Sequence, residues 1–177
     1  MKKIFINVIL IIIGFIIYFL QSNFFSWFSI AGVKPNLFVI YILFIGLFGN
    51  KSMGVIYGAV LGILLDLIFN EKVGQNLFGL VSIGIIAKIF DKNFSKDSRI
   101  TMMFMVLGTT AIFEILSYFI NYMVYSANVE IIYFIKTLVI EIIYNIIITI
   151  IIYPLIQKFG YYIENEYKGN RILTRYF

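Results

Sequence analysis

The chain has 177 residues, 62% of them hydrophobic and 13% charged, with a net charge of +5 and a mean hydropathy of +0.98. A water-soluble domain is nearer one half apolar and one quarter charged, so the composition excludes the soluble classes and points to one multispanning membrane domain over residues 1–177. The absence of Cys and His removes thiolate nucleophiles, imidazole bases, the usual zinc sites and disulfides together.

Lys2 and Lys3 precede an uncharged run. A first span is expected over residues 4–20, long enough at about 1.5 Å per residue to cross most of a hydrocarbon core of about 30 Å. Ser29 and Ala31 mimic a small-x-small cleavage site, but the apolar run exceeds a signal-peptide core, so the segment reads as a retained span. Residues 21–34, with Phe24, Phe25, Trp27 and Phe28, read as an interfacial loop. Pro35 and Asn36 open the second span, 36–49, because a proline at the first turn lacks only an N–H that would be unpaired anyway. A tight turn with Ser52 as helix cap leads to the third span, 52–69, and a turn containing Gly74 leads to the fourth, 77–90. The fifth span covers 100–122 after a charged loop from Asp91 to Arg99. The sixth covers 131–155 after a polar hinge around Ser126 to Glu130, with Pro154 near its end, and an aromatic, basic tail occupies 157–177.

Six spans put both chain ends on one side. That side then holds eleven of the fourteen Lys and Arg residues, leaving Lys34, Lys72 and Lys136 on the other. Such asymmetry marks the richer side as cytoplasmic. The expected fold is therefore an all-α integral membrane protein, six transmembrane helices in one compact bundle with both termini cytoplasmic. The basic excess is a topology signal, and no nucleic-acid partner is expected.

Within the third span Gly54, Gly58, Gly62 and Asp66 recur at four-residue intervals, forming one ridge along a helix. Small residues let a neighbouring backbone come close in a membrane, so the ridge reads as a helix-docking interface whose partner lies either in this chain or in another. An ionised Asp66 facing lipid would cost about 3 kcal/mol, so it should face protein or a wet cavity. With this topology Asp66, Glu114 and Glu141 fall in the outer half of the membrane. They line an outer polar cavity for a small cationic or polar ligand, or each is neutral or bonded to its helix neighbours, with Lys136 near Glu141.

No phosphate-binding loop is present, no Ser has a His base, and only one Asp lies inside a span, so no catalytic residue, cofactor or metal site is read from the sequence. The chain reads as a non-enzyme.

The run from Lys34 to Lys92 resembles the rod shape-determining MreD family. The resemblance rests on Pro35-Asn36 at the opening of the second span, on Gly58, Gly62, Leu65 and Asp66 in the third, and on Gly74 in the following turn. It implies a non-enzymatic scaffold in the bacterial cell membrane, helping to maintain rod shape and place lateral peptidoglycan synthesis. It implies partners such as MreC, MreB, RodA and a penicillin-binding transpeptidase; the Gly54 to Asp66 ridge is the candidate contact with a single-span partner such as MreC, and the Asp91 to Arg99 loop the candidate for a cytoplasmic contact. A six-span chain with acids in one layer is also similar to the substrate-binding membrane subunit of an energy-coupling-factor vitamin transporter, which is the alternative function.

Overall fold

The computed structural model describes residues 2–69, 74–125 and 130–169, and among them the regular elements are helical. Six helices follow one another: α1 Lys2–Trp27, α2 Leu37–Phe48, α3 Met53–Phe69, α4 Gln75–Asn93, α5 Arg99–Tyr125 and α6 Ile131–Lys168. Three of them, α1, α5 and α6, are long and apolar enough to cross a membrane, and α2 and α3 are shorter apolar helices.

The short helix is the centre. All twelve residues of α2 are buried, and α2 touches each of the other five helices. Its sequence explains this, since LFVIYILFIGLF has no polar face to turn outward, and a helix that is apolar all round is stable only when surrounded. At about 1.5 Å per residue α2 is only about 18 Å long, so its ends lie inside the bundle. Each end leaves amide or carbonyl groups without a partner within the helix, and away from water these must be satisfied by the protein.

α3 and α4 form the closest pair. A Cβ added to Gly58 would meet the Leu80 carbonyl oxygen at 2.6 Å, and one added to Gly62 would meet Leu77 Cα at 2.6 Å. Gly54 faces Gly46 of α2 and Gly84 of α4, whose backbones would be 2.7 Å and 3.2 Å from its missing Cβ. The ridge is thus occupied within the chain. Of the two partners left open for the ridge, it meets the one within this chain, because α4 takes the space that the small residues open.

Two boundaries also differ from the sequence reading. α1 runs on to Trp27 through a π-helical turn at Leu20–Phe24. The chain then reverses at Ala31 and Gly32, both with positive φ, between the bridged residues Ile30 and Val33. The sixth helix does not end at 155 but continues through Pro154 to Lys168. Proline removes one helical hydrogen bond, yet the following turns are held by packing. Ile163 is buried, and a Cβ on Gly160 would meet the Phe48 ring at 2.7 Å. The first part of the expected tail is therefore helix. The remainder, 170–177, lies outside the described residues, as do Asn70, Glu71 and Lys72 of the turn and Ser126 to Val129 of the hinge.

Lys2 pairs with Glu166 at 3.1 Å, so the beginning of α1 and the end of α6 meet at one end of the bundle. The C-terminus of α2 lies at that same end, next to the residues described below.

Candidate functional site

Asp66 is fully buried and serves the start of α4. Its Oδ2 accepts from the Gly74 amide at 2.8 Å and the Leu77 amide at 3.1 Å, and its Oδ1 accepts from the amide and the side chain of Asn76 at 2.9 and 3.0 Å. The first amides of a helix have no intrahelical acceptor, and the helix dipole favours a negative charge there. Gly74 precedes the helix at φ 134°, a conformation open to glycine and strained for other residues. Leu65 is buried beside the acid.

A second cap stands at the start of α2. Asn36 Oδ1 accepts from the Val39 amide at 3.3 Å, Gln21 Oε1 from the Leu37 amide at 3.0 Å, and Asn145 Oδ1 from the Asn36 amide at 2.9 Å. Pro35 is buried just ahead of them. The π-helical turn in α1 carries Gln21, and an isolated π turn of this kind often marks a place where a helix serves another element. Asn145 itself is completely buried in α6, and its Nδ2 donates to Thr110 Oγ1 of α5 at 3.0 Å. One amide side chain thereby ties three helices together. Around it lie Glu114 of α5 and Glu141 of α6, close enough for their carboxyl groups to interact, with the Asn36 side chain also near Glu141.

The opposite end of α2 is capped by cations. The Leu47 carbonyl accepts from Lys96 Nζ at 3.0 Å and Lys168 Nζ at 2.8 Å. Lys96, 6% exposed, also pairs with Asp91 and Glu164, each at 2.6 Å, and lies 5.0 Å from the Phe48 ring centroid. Lys168 pairs with Asp91 at 2.7 Å and with Glu164 at 3.5 Å. Positive charge at a helix C-terminus opposes the negative end of its dipole. Burial pushes the Asp91 carboxyl up, but hydrogen bonds and charge from Lys168 and Lys96 outweigh it and hold Asp91 below its ordinary range. Burial lowers the Lys168 ammonium, with the like charge of Lys96 adding to it and the acids opposing it.

The structure therefore redistributes the expected site residues. Glu114 and Glu141 lie near one another, while Asp66 bonds to the start of α4. In the Asp91 to Arg99 loop Lys96 is buried and Asp97 is bonded to Tyr153 and Tyr161 through its carbonyl and carboxylate, while Lys92, Asp97 and Arg99 stay exposed. A described cavity of about 470 Å³ lies elsewhere, between α1, α2 and α6, and its walls are apolar, including Leu10, Ile17, Phe48, Ile152 and Phe159.

Sequence reasoning missed Gln21, Lys96 and Lys168 as partners of α2, and Glu164 as the acid that pairs with both lysines. Their signal was weak because each lies outside the expected spans, where polar residues are ordinary. Asn145 gave a stronger signal, being an amide within an apolar span that needs a partner.

What these polar groups do in common is close helix ends inside an apolar bundle. No characterised protein and no solved structure matches the chain. The model of the rod shape-determining protein MreD matches residues 1–163, which take in the whole of the first five helices and most of α6. The two caps carry the residues through which the resemblance was first seen, Pro35 and Asn36 at one and Asp66 and Gly74 at the other, and the chain belongs to the MreD family.

Proposed function

We propose that this protein is a non-enzymatic membrane scaffold of the bacterial cell-elongation machinery, helping to maintain rod shape and to place lateral peptidoglycan synthesis. The carrying observation is the family match over residues 1–163. All six helices lie in the cell membrane in this reading. The outward faces support it, since Phe15, Ile132 and Leu155 are 70%, 81% and 72% exposed and would be costly in water. The Lys and Arg asymmetry supports cytoplasmic termini.

The partners in this reading are an MreC-like membrane protein together with MreB, RodA and a penicillin-binding transpeptidase. Because α4 covers the glycine ridge, contact with a partner's transmembrane helix falls to another outward face of the bundle.

Depletion in the native cell, followed by microscopy with a fluorescent cell-wall label, tests the proposal. Rounded cells with misplaced lateral synthesis are expected. Cells that keep their shape but require an added vitamin would overturn it in favour of a transport subunit.

A further inference from the structure

Three oxygen atoms between α5 and α6 stand apart from the capping network. Glu141 is 6% exposed and Ser117 is 4% exposed, and the Oε1 of the first and the Oγ of the second have no hydrogen-bond partner. Thr137 Oγ1 is buried and unpartnered as well. A buried polar atom left in this condition is uncommon and calls for an explanation.

These atoms occupy two successive turns of the contact between α5 and α6. α5 and α6 run antiparallel, and two contacts fix their register: Asn145 Nδ2 to Thr110 Oγ1 at 3.0 Å, and the Tyr118 and Phe134 rings with centroids 4.5 Å apart. Between those levels Glu114 lies near Glu141, and the same register places Ser117 opposite Thr137 one turn further along. Ser117 follows Glu114 by three positions and Thr137 precedes Glu141 by four, so each hydroxyl lies on the same helix face as its carboxyl. Glu114 is partly exposed, which leaves these turns a way in.

Two ionised carboxylates close together away from water repel, so positive charge belongs between them. A proton shared by the two carboxyls would answer the repulsion and leave the remaining oxygens unpartnered. A cation would engage them all, because carboxylate and hydroxyl oxygens are the donors that hard cations select. Among the described residues no group of three or more Asp, Glu, His or Cys could hold a metal ion, and with one carboxyl of the pair protonated the single remaining negative charge matches a monovalent ion.

We propose that Glu114, Ser117, Thr137 and Glu141 form a binding site for a small monovalent cation of the sodium class, which locks α5 to α6.

The test uses the full chain in detergent micelles at pH 7.5, with choline chloride exchanged for sodium chloride at constant ionic strength. Thermal unfolding should move to higher temperature as sodium rises and then saturate. Glu141→Gln should abolish that response, and Ser117→Ala and Thr137→Ala should each raise the sodium concentration at half-effect by roughly tenfold, since affinity follows ligand number and charge. Line broadening of the sodium NMR signal by the native chain, lost in Ser117→Ala plus Thr137→Ala, provides a second readout if Glu141→Gln does not fold. Equal unfolding temperatures in sodium and choline, with no line broadening, would overturn the proposal. So would a response to pH that is the same in both salts, which would mean that the pair holds only a proton.

Discussion

The amide of Gly74 donates a 2.8 Å hydrogen bond to Asp66 Oδ2, joining the last turns of α3 to the first residue ahead of α4. With the Asn76 and Leu77 amides on the same carboxylate, this contact turns an acid and a glycine eight positions apart into one cap. Asp66→Asn is expected to destabilise the fold by about 3 kcal/mol, since buried bonds to a charged acceptor are lost and an amide group is left facing donors. Gly74→Ala should add strain of about 1–3 kcal/mol at a positive φ. Unfolding in denaturant, with both variants compared to the native chain, checks the pair.

The glycines of α3 predict a graded series. Gly58→Ala puts a methyl group 2.6 Å from the Leu80 carbonyl oxygen, where backbone must move. A loss of about 1–3 kcal/mol is expected, as for overpacking elsewhere. Gly108 is the control, because a Cβ there finds only the end of the Phe90 ring, at 4.0 Å. Gly108→Ala should be neutral or slightly stabilising, a helix-interior glycine being about 0.5–1 kcal/mol worse than alanine. Thermal melts of the two variants should separate cleanly.

Asn145→Leu removes both the acceptor for the Asn36 amide and the donor to Thr110. The added apolar bulk cannot replace either bond at this depth. An unsatisfied buried amide costs about 1–3 kcal/mol, and amide hydrogen exchange at the start of α2 should quicken more than at its end.

The ionic end of α2 should show a defined pH response. Asp91 titrates in the fold below its ordinary value of 3.8. Its contribution is therefore present at neutral pH and is lost as pH falls through 3.8 towards the folded value. Lys168 is lowered from 10.5, so its own contribution changes only on the alkaline side, where stability rises as the ammonium gives up its proton. Asp91→Asn should unfold at lower temperature than the native chain at pH 7, and the gap should close in acid below about pH 3.8. Melting both proteins across the acid range is the measurement.

Much of this fold was legible in the chain. The apolar runs and their charged flanks gave the helices α1 to α6, apart from the extension of α1 and the continuation of α6, because hydrophobic length is a local property. The Pro35-Asn36 opening, the glycine ridge and Asp66 could be picked out for a related reason. A proline at a helix start, bare positions at four-residue spacing and an acid in an apolar segment each carry a physical constraint that needs no knowledge of neighbours.

Which neighbour meets each constraint was decided only in three dimensions. The ridge meets α4, Asp66 meets the Gly74 to Leu77 amides, and Lys96 and Lys168 leave their charged surroundings in the sequence to close the carbonyl end of α2. Spacing along one helix states that a partner is needed, but the partner is chosen by how the helices pack around α2, the one helix with no face for the outside. The same packing carries α6 past Pro154, where local rules end a span, because the contacts of Gly160 and Ile163 with the core outweigh one missing hydrogen bond.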